Sequence, residues 1–111
     1  MTKIMIVEDE AGLRQGLEIN LRMENYETVQ AADGEEAIRL FHADQPDLVL
    51  LDLMLPKKSG FEVLDHIRKY SRAPVILLTA LSDEPRMNRA RELGLRPLAV
   101  SLRLPGSVPV R

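Results

Sequence analysis

Four large apolar residues run without a break and end in a carboxylate: Leu48-Val49-Leu50-Leu51-Asp52. A run this short and this apolar suits a strand buried on both faces, as in a parallel sheet. The stretch that follows, Leu53-Met54-Leu55-Pro56-Lys57-Lys58-Ser59-Gly60, reads as a loop. Asp52 is thereby placed at the carboxyl end of a central strand, the edge at which open α/β sheets carry their chemistry.

An isolated Asp in that place is an ordinary turn former. A second apolar strand, however, also ends in acids: Ile4-Met5-Ile6-Val7 is followed by Glu8-Asp9-Glu10. If both strands are central and parallel, three or four carboxylates meet at one edge. Two carboxylates about 4 Å apart repel by roughly 4 kcal/mol at an effective dielectric of 20. A fold that only needed turns would avoid that cost. A hard divalent cation relieves it, and oxygen-rich sites suit magnesium.

The rest of the chain alternates in the same way. Lys3–Val7 is a first strand, and Leu13, Leu17 and Leu21 give one apolar stripe on a helix from about 11 to 24. A second strand covers 26–31, with Val29 and Ala31 on one face. Asp33 then caps a helix, with Glu36 reaching back and Ala37, Ile38 and Phe41 inward. After the Leu48–Asp52 strand, Gly60 opens a helix to about Tyr70 with Phe61, Leu64 and Ile67 inward, and Val75–Thr79 is a fourth strand. Pro85 starts a helix that reaches Leu93 and stops at Gly94. Residues 98–102 are the expected fifth strand. Four β-α units in succession imply a parallel sheet with helices on both faces and right-handed crossovers.

With 111 residues, 45% hydrophobic and 29% charged, the chain suits one globular domain. It has no cysteine, which excludes disulfides and thiolate sites. No apolar run is long enough to cross a membrane, and no signal peptide precedes the first strand, so the expected location is cytoplasmic. Charge is unevenly spread. Residues 1–85 carry nine basic and sixteen acidic groups, a balance of −7, whereas residues 86–111 carry six Arg and one Glu. The tail lacks Lys and interleaves Pro with apolar residues, which argues against a nucleic-acid arm. His42 and His66 fall on separate helices without metal-ligand partners at useful spacing and read as surface residues; Lys57 and Lys58 read as solvated loop charges.

Taken together, Ile6-Val7-Glu8-Asp9-Glu10, Asp52-Leu53-Met54-Leu55-Pro56 with Gly60, Leu78-Thr79-Ala80 and Asp33-Gly34-Glu35-Glu36-Ala37 resemble the receiver domains of bacterial two-component response regulators. The likeness covers residues 1–94, and residues 78–94 are most similar to the winged-helix transcription-factor subfamily. It implies a flavodoxin-like doubly wound α/β fold with a five-stranded parallel sheet. It also implies a phosphorylation switch rather than an enzyme, with autophosphatase activity at most. Asp52 would accept a phosphoryl group from phosphohistidine on a sensor histidine kinase. Asp9 would bind Mg2+ directly and Glu8 through water, with Asp52 and the backbone carbonyl of Met54 completing the set. Thr79 would hydrogen-bond the aspartyl phosphate and draw in the loop after it. The 111 residues hold no DNA-binding module, so control of transcription belongs to a full-length protein.

From residue 95 the chain departs from that pattern. Ser101 stands where receiver domains carry a Lys, and Leu98 where an aromatic residue reports the switch. Losing a charge-assisted hydrogen bond of roughly 1.5–3 kcal/mol should weaken phosphorylation or uncouple it from the switch. The basic tail at 95–111 is read as a replaced C-terminus, through frameshift, truncation or cloning, with the fifth helix missing. Such a helix buries about four large apolar side chains, each contributing roughly 1.5–3 kcal/mol, against a whole-domain stability of about 5–15 kcal/mol. Self-association, as a homodimer or swapped oligomer, or partial disorder in the tail is therefore expected. Two rival readings remain. One is a receiver-like interaction module without phosphate control, which Ser101 and Leu98 favour. The other is a magnesium-dependent phosphohydrolase, against which the Met at position 54 stands, where a second acid is usual.

Overall fold

Strands buried on both faces, more than helix propensity, set the layers of this molecule. The computed structural model describes residues 1–53, 55–78, 92 and 95–97. In chain order the elements are β1 (Lys3–Val7), α1 (Ala11–Met23), β2 (Glu27–Ala31), α2 (Gly34–Asp44), β3 (Leu48–Leu51), α3 (Gly60–Tyr70), β4 (Val75–Leu77) and β5 (Leu95–Pro97). The five strands form one parallel sheet in the order β2-β1-β3-β4-β5. This is the doubly wound order expected from the β-α alternation. The fifth strand occupies Leu95–Pro97, with Val75 opposite Leu95 and Leu77 opposite Pro97. Residues 98–102 and the helix expected over 85–93 lie outside the described residues, Glu92 excepted.

Each central strand feeds two cores. Met5, Val7, Val49, Leu51, Val75 and Leu77 pack on one face against Ala37 and Phe41 of α2 and Val63, Leu64 and Ile67 of α3. Ile4, Ile6, Leu48, Leu50 and Ile76 point the other way and meet Leu17 and Leu21 of α1. The unbroken apolar runs of β1 and β3 are the price of covering both faces.

The helical stripes are partly revised. Leu17 and Leu21 are buried, but Leu13 in the first turn of α1 is 45% exposed. Thirteen helical residues span about 20 Å, whereas a five-residue strand spans about 17 Å. The helix thus outruns the sheet beneath it. In α3 the inward set is Val63, Leu64 and Ile67, and Phe61 is only half-buried.

The caps place the helices against the sheet. Asp33 accepts from the Glu36 N–H at 2.8 Å, and Glu36 reaches back to the N–H of Ala32 at 2.7 Å, one residue earlier than a regular capping box requires. Ser59 and Glu62 form the regular box at α3.

Candidate functional site

The order β2-β1-β3 means that the chain leaves β1 to one side and returns to β3 on the other. A crevice opens outside the carboxyl ends of two such neighbouring strands. Register fixes what lines it. Val7 lies beside Leu51, and the Asp52 N–H donates to the Val7 carbonyl at 2.9 Å. Glu8, the residue after β1, is therefore a lateral neighbour of Asp52. One carboxylate oxygen each from Glu8, Asp9 and Asp52 lies within 4.8 Å of the others. Glu8 and Asp52 are buried and Asp9 is exposed.

Of the four acids that sequence brings to this edge, three meet and one does not. The Glu10 carboxylate turns away and accepts the Leu13 N–H at 2.8 Å, capping α1. The backbone of Glu10 still serves the cluster, since its N–H donates to Glu8 Oε2 at 3.0 Å. Arg14 donates to the Glu8 carbonyl at 2.8 Å and to the Gln30 side chain at 3.2 Å, which pins the turn after β1.

Charge is in excess here. Burial, reinforced by Asp52 and by Asp9, pushes the Glu8 carboxyl up to about 7, against the opposing hydrogen bond from the Glu10 N–H. A carboxyl raised first by burial and then by neighbouring carboxylates is one whose ionised form a bound cation would stabilise. Three convergent carboxylates of this hardness fit a magnesium-class ion better than a nitrogen- or sulfur-preferring one. The acids are thus able to hold a metal, and Glu8, Asp9 and Asp52 are the residues that would hold it. Met54 and Thr79, the remaining expected site residues, lie outside the described residues, as do Leu98 and Ser101.

The loop after Asp52 is held by two glycines. A Cβ on Gly60 would fall 2.4 Å from the Leu53 Cα and 2.5 Å from the Asp52 carbonyl oxygen. No side chain fits, so α3 begins directly against the backbone of the acid; the Gly60 N–H donates to the Leu53 carbonyl at 3.0 Å. On the other side, a Cβ on Gly34 would fall 2.1 Å from the Lys58 carbonyl oxygen. The loop is clamped between the starts of α2 and α3. Lys57, at φ 66°, pairs with Asp33 at 3.6 Å, and Lys58 pairs with Glu62 at 4.0 Å. Lys57 thus links the loop to the start of α2, while Lys58 pairs i,i+4 with α3; both side chains remain at least partly exposed, as loop charges are. Sequence reading could find Gly60 as part of a motif, but the close approach that requires it, and the pairing of α2 with the loop, are tertiary facts.

A parallel five-stranded sheet with clustered acids at its switch point defines the class, and comparison with known proteins agrees. Residues 4–98 match the family described as the response regulator receiver domain, and the chain belongs to it. It is 50% identical over 92 residues, 83% of this chain and 36% of the relative, to a probable transcriptional regulator, ycf27, of Guillardia theta. The chain spans about a third of the length of the curated relatives it matches. Among solved structures it is similar to the response regulator TrrA of Thermotoga maritima in complex with Mg(2+)-BeF, with a TM-score of 0.80 and 36% identity, covering 93% of this chain and 90% of that one. The non-phosphorylated HemR receiver domain of Leptospira biflexa matches with a TM-score of 0.79 and 32% identity, over 92% of this chain and 86% of that one. Among the described residues no helix is long and apolar enough to cross a membrane.

Proposed function

We propose that this receiver domain is a cytoplasmic phosphorylation switch in which Asp52 takes a phosphoryl group from the phosphohistidine of a sensor histidine kinase. One Asp52 carboxylate oxygen attacks the phosphorus and the P–N bond breaks. Its electron pair stays with the imidazole, which leaves neutral when its other nitrogen carries a proton. The observation that carries the reading is the meeting of Asp52 with Glu8 and Asp9 at the crevice between β1 and β3. Little covalent chemistry is asked of a protein in phosphoryl transfer; positioning and charge stabilisation dominate. Glu8, Asp9 and Asp52, with the Met54 carbonyl as a further ligand, would hold Mg2+, which would supply charge neutralisation for the transferring group. The chain's own part is to hold Asp52 rigidly, through β3 behind it and the Gly60 approach in front. Thr79 serves as the phosphate-sensing hydroxyl. The output, by the likeness to named transcriptional regulators, is control of transcription in a full-length protein.

Ser101 in place of a Lys favours a second reading, an interaction module whose phosphate control has been lost. One experiment separates the two. Intact mass is measured after incubation with acetyl phosphate and Mg2+, with Asp52→Asn beside it. A gain of about 80 Da, one phosphoryl group, absent in the variant, is the expected result. No gain in a folded sample overturns the switch and leaves the interaction module.

A further inference from the structure

The chain has two histidines, and they stand on different helices, 24 residues apart in sequence. Their Nε2 atoms nevertheless approach to 2.7 Å. His42 lies in the last turn of α2 and His66 in the second half of α3, so the pair sits toward the ends of helices that begin at the acidic edge. Aromatic contacts orient both rings. His42 is edge-on to His66 with centroids 4.9 Å apart, and edge-on to Tyr70 also at 4.9 Å. Tyr70 contacts His66 at 5.1 Å, and Phe41, beside His42 in sequence, adds a further edge contact at 5.2 Å. Phe41 and Ile67 are buried in the core, which anchors the backbone on each side of the pair.

Two imidazole nitrogens aimed at each other across this gap share one proton: one Nε2 donates and the other accepts. The same two lone-pair positions suit a divalent ion of the zinc, nickel or copper class, for which imidazole is a preferred ligand, and not magnesium. We infer that His42 and His66 form a second metal site, for an ion of that class, which clasps α2 to α3. In tetrahedral geometry with bonds of about 2.0–2.1 Å, two nitrogen ligands lie about 3.3 Å apart. A rotation of the two side chains that opens the gap by roughly 0.6 Å admits the ion, with each ring then protonated at Nδ1. Water completes the coordination, which makes the site exchangeable. Burial, together with His42, Lys69 and Lys58, holds His66 below the ordinary imidazole value. The lysines repel any divalent ion alike, so the preference for a zinc-class ion over Mg2+ rests on the nitrogen ligands.

The test uses the full chain with Mg2+ in excess on the carboxylates. ZnCl2 is added while the Hδ2 and Hε1 signals of the histidines are followed by NMR; with two histidines and no cysteine, the readout is confined to this pair. Both residues should shift together with one midpoint at one zinc per chain, unmoved when Mg2+ is raised further. Even a ligand's hydrogen-bond partner is worth 10–100-fold in affinity, so His66→Gln should weaken the response of His42 by about tenfold or more, and His42→Gln that of His66. Separate midpoints, no response, or an unchanged response of the remaining histidine overturns the site. So does a midpoint that moves with Mg2+, since it assigns the zinc to the carboxylates. His66→Gln should still gain the phosphoryl mass, so failure here is distinct from failure of the switch.

Discussion

Two clusters of metal-competent side chains lie in this domain, and they differ in what holds them. Glu8, Asp9 and Asp52 stand at the ends of neighbouring strands, locked by backbone pairing in the sheet. His42 and His66 stand on the outer surfaces of two helices, brought together by helix packing and ring contacts. The first gathers three carboxylates, two of them buried, on backbone that cannot move apart. The second sits on helix surfaces, with His42 exposed and His66 half-buried, and its side chains can adjust. The contrast teaches that strand ends are suited to strain charge into a site, whereas helix faces can offer ligands without cost when the site is empty.

That contrast can be broken first at Glu8. Its carboxyl has a folded value of about 7 against an ordinary 4.5. The folded state therefore binds more protons between those values, and the contribution of Glu8 to stability declines as pH rises from about 4.5 through 7. In the metal-free chain, Glu8→Gln should be the more stable form at pH 7, by up to about 3 kcal/mol, and should lose that advantage near pH 4.5. Urea unfolding at the two pH values measures it, and added Mg2+ should reverse the advantage. Equal stability of the two chains at both pH values would show that charge is not in excess at this edge.

A somewhat smaller effect is expected at Gly60. With the Leu53 Cα and the Asp52 carbonyl oxygen 2.4 and 2.5 Å from a built Cβ, Gly60→Ala must push α3 off the Asp52 loop. Overpacking of this kind costs about 1–3 kcal/mol, and here it should also slow phosphoryl uptake. Full stability with normal uptake would mean that the loop is not fixed from this side. Smallest is Ser59→Ala, which removes one half of the α3 capping box. A loss of about 1 kcal/mol is expected in thermal unfolding, with the rate of phosphoryl uptake nearly unchanged. A larger loss of uptake than of stability would mean that the cap positions Asp52 and does not merely start the helix.

The acid cluster was legible in the chain because each part of it is local. An apolar run of strand length followed by an acid occurs twice, at Val7-Glu8-Asp9 and at Leu51-Asp52, and parallel topology puts such ends side by side. The share of each acid was not legible. Glu10 carries the same carboxylate as Glu8 but is spent on α1, because the turn after β1 directs its oxygen to the Leu13 N–H. Leu13 was misplaced for a related reason: periodicity names a helical face but not where the sheet beneath it stops.

By itself the sequence determined the β-α order, the two-faced central strands, the cap of α2, and the placing of Glu8, Asp9 and Asp52 at one edge. These follow from periodicity, turn chemistry and handedness, all of which act over a few residues. Tertiary structure alone decided that Gly60 must be bare against Asp52, that Lys57 meets Asp33, and that His42 meets His66. Those outcomes depend on the distance and rotation between packed helices, set by the interlocking of Ala37 and Phe41 with Val63, Leu64 and Ile67 over the sheet. No spacing along the chain encodes that geometry.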